Sequence, residues 1–284
     1  MKYIILLFAL PLSVWGQLNE DFWKLIDTKP KGKLDMVYLS MIIDKEDRLY
    51  VGTNEGMYRI MEADTTWQLL TKPIPIYHIA IRENNIYCVS EKGTILRSVD
   101  GGLTWGDIHL NGLKNITDIE ILKNGNILVA SCHIEVKNNI GLFRGNGLYR
   151  SKDYGLTWEK LNIGTMYDQY ISHLVLDSHG RIYASLNEYN AKDSLLIYSN
   201  NNGDTWEKFP QLKFNRVDEN SIEGTDIVQV TSLTVDAMDS IHLSLQGASE
   251  FVATSINLSN SSSGALAGSE WKHMRLVSYG YPWF

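Results

Sequence analysis

Only two cysteines, Cys88 and Cys132, occur in the 284 residues, within YCVS and ASCH inside apolar stretches. Buried free thiols are the expected state; a disulfide is open to an exported protein but is not required by a chain of this size. With the scattered histidines they form no metal-ligand spacing, so no metal and no other cofactor is expected. Runs of Lys and Arg are also missing. The formal charge of −7 leaves no electrostatic reason to approach a phosphate backbone, so nucleic acid is not expected as a partner. After the first residues no apolar run approaches the ~20 residues of a transmembrane helix. No convincing helical period is found either.

What is present suits a folded, strand-rich chain. Hydrophobic residues make up 44% and charged residues 21%, enough for a sizeable core and unlike a disordered protein. Tyrosine (15) and tryptophan (8) are plentiful, as strands with aromatic cross-strand pairs require. The N-terminus, MKYIILLFALPLSVWGQ, has Lys2, an apolar run over residues 3–12, and small Gly16 before Gln17. That order reads as a secretory signal over residues 1–16, cleaved near Gly16, leaving residues 17–284 as one secreted or periplasmic domain.

A strand pair recurs along that domain: SMIIDKEDRLYVG, IAIRENNIYCVS, DIEILKNGNILVAS, HLVLDSHGRIYASL and SLTVDAMDSIHLSL. Aligned on Leu49, Ile86, Ile127, Ile182 and Ile241, the units are 37, 41, 55 and 59 residues apart, with the variation in loops. Each of the first four continues into a third strand (GMYRI, GTILRS, GLYRS, LLIYS), then a turn, then a strand beginning with Trp: WQLL, WGDI, WEKL, WEKF. Four short strands per unit of this length predict an all-β fold, a β-propeller of four-stranded blades. Five blades are recognisable, ending at Trp67, Trp105, Trp158, Trp206 and Trp271. Trp23, in DFWKLI, begins an outer strand with no strand pair before it. With residues 279–284 it predicts a partial sixth blade assembled from both termini, in a ring left gapped or a chain truncated relative to its relatives. Self-association through the incomplete blade follows.

The turn before the Trp strand has a constant form: SVDGGLTW at 98–105, SKDYGLTW at 151–158 and SNNNGDTW at 199–206. This Ser-x-Asp-x-Gly-x-Thr-Trp pattern is similar to the Asp-box, or bacterial neuraminidase repeat (BNR), of sialidase-like propellers. The matching residues are Ser98, Asp100, Gly102, Thr104 and Trp105; Ser151, Asp153, Gly155, Thr157 and Trp158; and Ser199, Gly203, Thr205 and Trp206, with Asn201 in the Asp position. Degraded copies end at Trp67 and precede Trp271. The resemblance implies that the box joins third to fourth strands on the face away from the ligand pocket. Physical chemistry alone accounts for the residues. The glycines tolerate positive φ, the Asp or Asn side chains accept from turn N–H groups, and the Trp rings wedge between layers.

Ligand contacts are therefore expected on the opposite face, on second-to-third strand loops and on connections between blades. The candidates are Tyr77, His78, His133, Arg144, Tyr167, Asp168, Tyr170, Glu188, Tyr189 and Arg216, with 132–146 read as a long loop. The resemblance to sialidases would require three clustered arginines and a Tyr–Glu pair. The chain has nine arginines in all, and Arg59, Arg97 and Arg150 lead into the box turn instead. The expected function is non-catalytic binding of a glycan or an extracellular protein through the loop face. The alternative is a sialidase-like or xyloglucanase-like glycoside hydrolase, with Glu188 and Asp168 or Asp218 as its acid and base.

Overall fold

The computed structural model describes residues 36–61, 66–110, 112–113, 115–137, 140–164, 170–187, 196–209, 229–246, 251–257 and 272–276. Within them lie five four-stranded antiparallel sheets in a propeller arrangement, each built from consecutive strands. Sheet I holds β1 (Tyr38–Ile43), β2 (Arg48–Thr53), β3 (Gly56–Met61) and β4 (Gln68–Leu69). Sheet II holds β5 (His78–Arg82), β6 (Asn85–Val89), β7 (Thr94–Ser98) and β8 (Gly106–His109). Sheet III holds β9 (Ile116–Ile121), β10 (Ile127–Lys137), β11 (Ile140–Ser151) and β12 (Glu159–Lys160). Sheet IV holds β13 (Tyr170–Leu176), β14 (Ile182–Asn187), β15 (Leu196–Ser199) and β16 (Glu207–Lys208). Sheet V holds β17 (Gln229–Val235), β18 (Ser240–Gln246), β19 (Phe251–Asn257) and β20 (Lys272–Leu276).

The second strands of sheets II, III and IV are buried on both faces because a neighbouring sheet covers each side, which is why NIYCV reads as a continuous apolar run rather than an alternating one. Four shared cores result. Tyr50 and Met57 of sheet I meet Ile86, Cys88 and Leu96 of sheet II. Tyr87 and Ile95 meet Ile119 and Ile127 of sheet III. Leu128 and Leu148 meet Leu174 and Ile182 of sheet IV. Tyr183 and Phe209 meet Leu233 and Ile241 of sheet V. Each fully buried Leu or Ile contributes roughly 1.5–3 kcal/mol, so these interfaces dominate stability. First strands neighbour one another in the order β1, β5, β9, β13, β17.

One detail departs from expectation. Residues 132–137 and 140–146, expected as part of a loop over 132–146, are the outer halves of β10 and β11, whose pairing runs from Ile127↔Ser151 to Lys137↔Ile140 with a register shift between Ser131 and Cys132. The alternation in HIEV is strand period, and the ladder continues past the sheet. Residues 17–35, 62–65, 258–271 and 277–284 lie outside the described residues. With them lie the degraded turn copies, the signal segment and both halves of the sixth blade.

The turn residues behave as their chemistry requires. Ser98 Oγ donates to Asp100 Oδ1 (2.7 Å) and accepts from Gly102 N (2.8 Å), while Asp100 Oδ1 accepts from Leu103 N (3.0 Å) and Thr104 N (2.9 Å). Ser151 and Asp153 repeat the pattern. In the third copy Asn201 Oδ1 accepts from Ser199 Oγ and Thr205 N, and its Nδ2 donates to Thr205 Oγ1. Hydrogen bonds from Thr104, in side chain and backbone, hold the Asp100 carboxyl at about 2; Thr157 does the same for Asp153, also at about 2. Gly155 has φ +95°, and a Cβ there would stand 2.6 Å from Ile108 Cδ1 of the preceding sheet, so glycine serves close approach as well as backbone shape.

The third-strand arginines clasp the next sheet's turn. Arg59 Nη1 donates to Gly101 O (3.1 Å), Arg97 lies over the Tyr154 ring (4.9 Å), and Arg150 Nη1 donates to Asn202 O (2.7 Å). Arg150 also pairs with Asp204 at 2.6 Å and Glu159 at 2.7 Å. Gly101 N bonds Asn84 O in the β5–β6 turn, so both kinds of turn share one end of the sheets. Cys88 and Cys132 are free and buried, and burial pushes both thiols up.

Candidate functional site

The opposite end gathers the starts of the first strands and the β10–β11 hairpin. Backbone register breaks there in four sheets, between Tyr38 and Ser40, at Ser131 opposite β9, between Ile171 and Leu174, and between Val230 and Ser232. Such irregularities turn side chains out of the regular alternation, which is how strands aim groups beside sites.

A polar chain crosses the sheets at this end. His78, first residue of β5, places Nδ1 3.5 Å from Asp118 Oδ1 on β9. Asp118 Oδ2 accepts from Leu174 N on β13 (2.7 Å), and Oδ1 accepts from Ile119 N (2.8 Å). His173 N donates to Ser185 Oγ (2.9 Å), and its Nδ1 lies 2.9 Å from Ser172 Oγ. The two serine hydroxyls share a 2.8 Å hydrogen bond. Burial holds the His173 imidazole below its usual range, with Asp118 opposing and His78 reinforcing the shift. Burial raises Tyr170, helped by Cys132 and Asp118. These groups bond to backbone and to one another, which fixes their donors and acceptors in place. Among the described residues no three of His, Cys, Asp and Glu are grouped to hold a metal ion.

The hairpin supplies the other half of the site. Directly paired residues share a face, so His133↔Arg144 and Ile134↔Phe143 lie on opposite sides of the ribbon. The polar side is self-satisfied: His133 Nδ1 is 2.8 Å from Asn146 Oδ1, and Arg144 Nε donates to Glu135 Oε2 at 2.8 Å. The other side shows Ile134, Val136 (72% exposed) and Phe143 (60% exposed). Phe143 tilts against Tyr170 with ring centroids 5.6 Å apart, joining the ribbon to sheet IV.

Of the expected site residues, Tyr77, His78, His133, Arg144 and Tyr170 all fall at this end. His78 joins the Asp118 chain, Tyr170 joins Phe143, and His133 and Arg144 share the polar side. Tyr167, Asp168, Glu188, Tyr189 and Arg216 lie outside the described residues. Asp118, Phe143, Ser172, His173 and Ser185 were not foreseen. The signal available was a carboxylate inside the apolar run ITDIEI and the strand alternation of HIEV.

No family model and no curated protein matches the chain. Among solved structures it is similar to the GH74 xyloglucanase from Xanthomonas campestris, at 15% identity and TM-score 0.53 over 84% of this chain and 39% of that one. An ancestral GH74 enzyme gives 16% and 0.52 over 83% of this chain and 32% of that one. YCF48 from Cyanidioschyzon merolae gives 13% and 0.52 over 84% and 71%. The chain thus spans well under half of either hydrolase, and at these identities the likeness is one of fold: this is a β-propeller chain.

Proposed function

We propose that the protein is an exported, non-catalytic propeller of the Asp-box class that binds a glycan or an extracellular protein at the end bearing the β10–β11 hairpin. In this reading residues 1–16 are the signal peptide, and residues 17–284 make five blades and a partial sixth through which copies self-associate. The observation that carries the binding function is the hairpin's bare apolar side, with Phe143 set against Tyr170 beside the His78–Asp118 chain. An aromatic surface next to fixed polar groups suits sugar rings and extended peptides alike. On the turn face Asp100 and Asp153 are taken up by their own turns, and the exposed Leu103 and Leu156 are single side chains on the turns of separate sheets. Arg59 and Arg150 are likewise bonded into neighbouring turns, and Arg97 lies over Tyr154, which supports a reading without the sialidase arginine cluster.

The test is a glycan array and an extracellular-protein panel probed with purified protein, beside Phe143→Ala and Tyr170→Ala. Binding that both substitutions abolish, at unchanged thermal stability, is expected. Sugar release from sialosides or xyloglucan, lost in Glu188→Gln and Asp168→Asn, would replace binding by hydrolysis.

A further inference from the structure

One column of residues repeats near the turn end of the sheets, and in sheet II it is incomplete. The register sets a second-strand residue, a third-strand residue and a residue of the fourth strand side by side on one face. These are Tyr50, Arg59 and Gln68 in sheet I; Tyr87, Arg97 and Gly106 in sheet II; Leu128, Arg150 and Glu159 in sheet III; and Tyr183, Tyr198 and Glu207 in sheet IV. Outside sheet II the fourth strand gives the third an acceptor. Arg59 Nη2 donates to Gln68 Oε1 (2.7 Å), Arg150 Nε to Glu159 Oε1 (2.7 Å) and the Tyr198 hydroxyl to Glu207 Oε2 (2.6 Å). Gly106 has no side chain to offer. Arg97 Nε is accordingly buried without a hydrogen-bond acceptor, a state that native proteins rarely leave without a reason.

Arg150, the counterpart in sheet III, meets two carboxylates, Glu159 and, from the next sheet's turn, Asp204 at 2.6 Å. Among the described residues no carboxylate pairs with Arg97, and Leu156 holds the turn position equivalent to Asp204. What Arg97 meets is aromatic: its Cζ lies 4.9 Å from the Tyr154 ring and 5.9 Å from the Tyr87 ring. Burial raises the Tyr87 phenol, and Arg97 opposes the rise through its charge and a hydrogen bond, which still leaves Nε over. A ring face attracts a cation but accepts nothing in the guanidinium plane. Tyr154 is itself held at φ +62°, where the equivalent turn positions carry Gly101 and Asn202, residue types that tolerate such a backbone. Backbone outliers of this kind cluster at ligand sites. The room for a ligand is at Gly106: the residue is exposed, and a Cβ built there meets nothing within 4 Å, so the space that Glu159 fills beside Arg150 is open beside Arg97. We infer that this gap binds a carboxylate carried by an external ligand, seated over Gly106 against the Arg97 guanidinium. A guanidinium takes a carboxylate by charge-assisted hydrogen bonds, and the fold makes that contact with its own Glu159 one sheet further on. The site lies at the end away from the hairpin and does not depend on the binding surface proposed there.

The test follows the arginine Nε–H signals of the full mature chain by heteronuclear NMR, with Arg97 assigned by the signal lost in Arg97→Lys. The chain is titrated with N-acetylglutamate α-amide, which carries a side-chain carboxylate, and separately with galacturonate. A saturable shift of the Arg97 signal, with the other arginines unmoved, is expected from at least one of them, and the tighter of the two tells an acidic peptide from an acidic sugar as the source. No shift from either, or an equal shift from chloride at the same ionic strength, overturns the inference. Gly106→Glu supplies the carboxylate from within, as Glu159 does, and Gly106 has no left-handed φ to strain. It should move the Arg97 signal without added ligand, abolish the titration response and raise the melting temperature. A Gly106→Glu protein with native circular dichroism whose Arg97 signal still responds to added carboxylate as the wild type does would overturn the placement over Gly106.

Discussion

Gly155→Ala separates the two reasons for a glycine in the turn. At φ +95° an alanine costs roughly 1–2 kcal/mol in backbone strain alone. Its Cβ would also stand 2.6 Å from Ile108 Cδ1 and 3.2 Å from Ile108 Cγ2, a clash that sheet II relieves only by moving a packed side chain, at about 1–3 kcal/mol. The expected loss is therefore about 2–5 kcal/mol, the sum of those two ranges. Gly125→Ala is the control: its φ is +86°, and a Cβ there meets nothing within 4 Å, so only the strain of about 1–2 kcal/mol remains. Ile108→Val removes the offending Cδ1. Urea unfolding of the four proteins, with the double mutant Gly155→Ala/Ile108→Val completing a cycle, should show a coupling of about 1 kcal/mol or more in favour of the pair. Equal losses at Gly155 and Gly125, with additive behaviour in the cycle, would refute the close-approach argument and leave backbone shape as the whole reason.

Trp158→Ala should destabilise by about 3 kcal/mol, because the ring packs against the shared core of sheets II and III and its Nε1 donates to Gly155 O; ligand affinity of the folded fraction should not change in the same titration. Asn201→Asp should stabilise slightly, by about 0.5–1 kcal/mol at pH 7, since a carboxylate accepts from Thr205 more strongly than the amide arrangement allows, and a loss in chemical denaturation would contradict this. Stability has two pH limbs of opposite sign. Asp100 and Asp153 have folded values near 2, below their unfolded 3.8, so their contribution is present above pH 4 and disappears as pH falls through about 2. Burial, then Asp118, raises Glu120 to about 8 from 4.5, so the folded state keeps a proton the unfolded chain has lost, and stability falls as pH rises between those values. Melting temperatures from pH 5 to 8.5 should decline in the wild type and flatten in Glu120→Gln; a parallel decline in both would exclude Glu120 as the cause.

The strand framework was legible because it rests on local chemistry repeated in register. Short apolar runs, glycines at positive φ and Trp-led outer strands each point to the same unit, and the sheets follow the order the repeats predict. The hairpin was read as a loop because its length and its polar Lys-Asn-Asn stretch suggest irregular chain. HIEV nevertheless alternates with the period of a strand, and pairing supplied what length obscured. At the candidate site His78 and Tyr170 were found by their place on connections between units. Asp118 and His173 were hidden inside strands, where a polar residue looks like noise until three sheets bring their ends together. The role of the arginines also needed three dimensions. LYRS says only that a cation ends a strand, whereas its partner, the backbone carbonyl of Asn202, is some fifty residues away in the next unit.

The contacts that hold each turn run backward along the chain. Gly102 receives Leu70, Gly155 receives Ile108 and Gly203 receives Leu161, always from the sheet made earlier. A turn emerging during synthesis therefore meets the surface of the sheet made before it, while its own outer strand supplies the surface for its successor. That polarity predicts that the sheets fold in order from the N-terminal one onward, and that a destabilising change in an early unit slows refolding more than the same change in a late one.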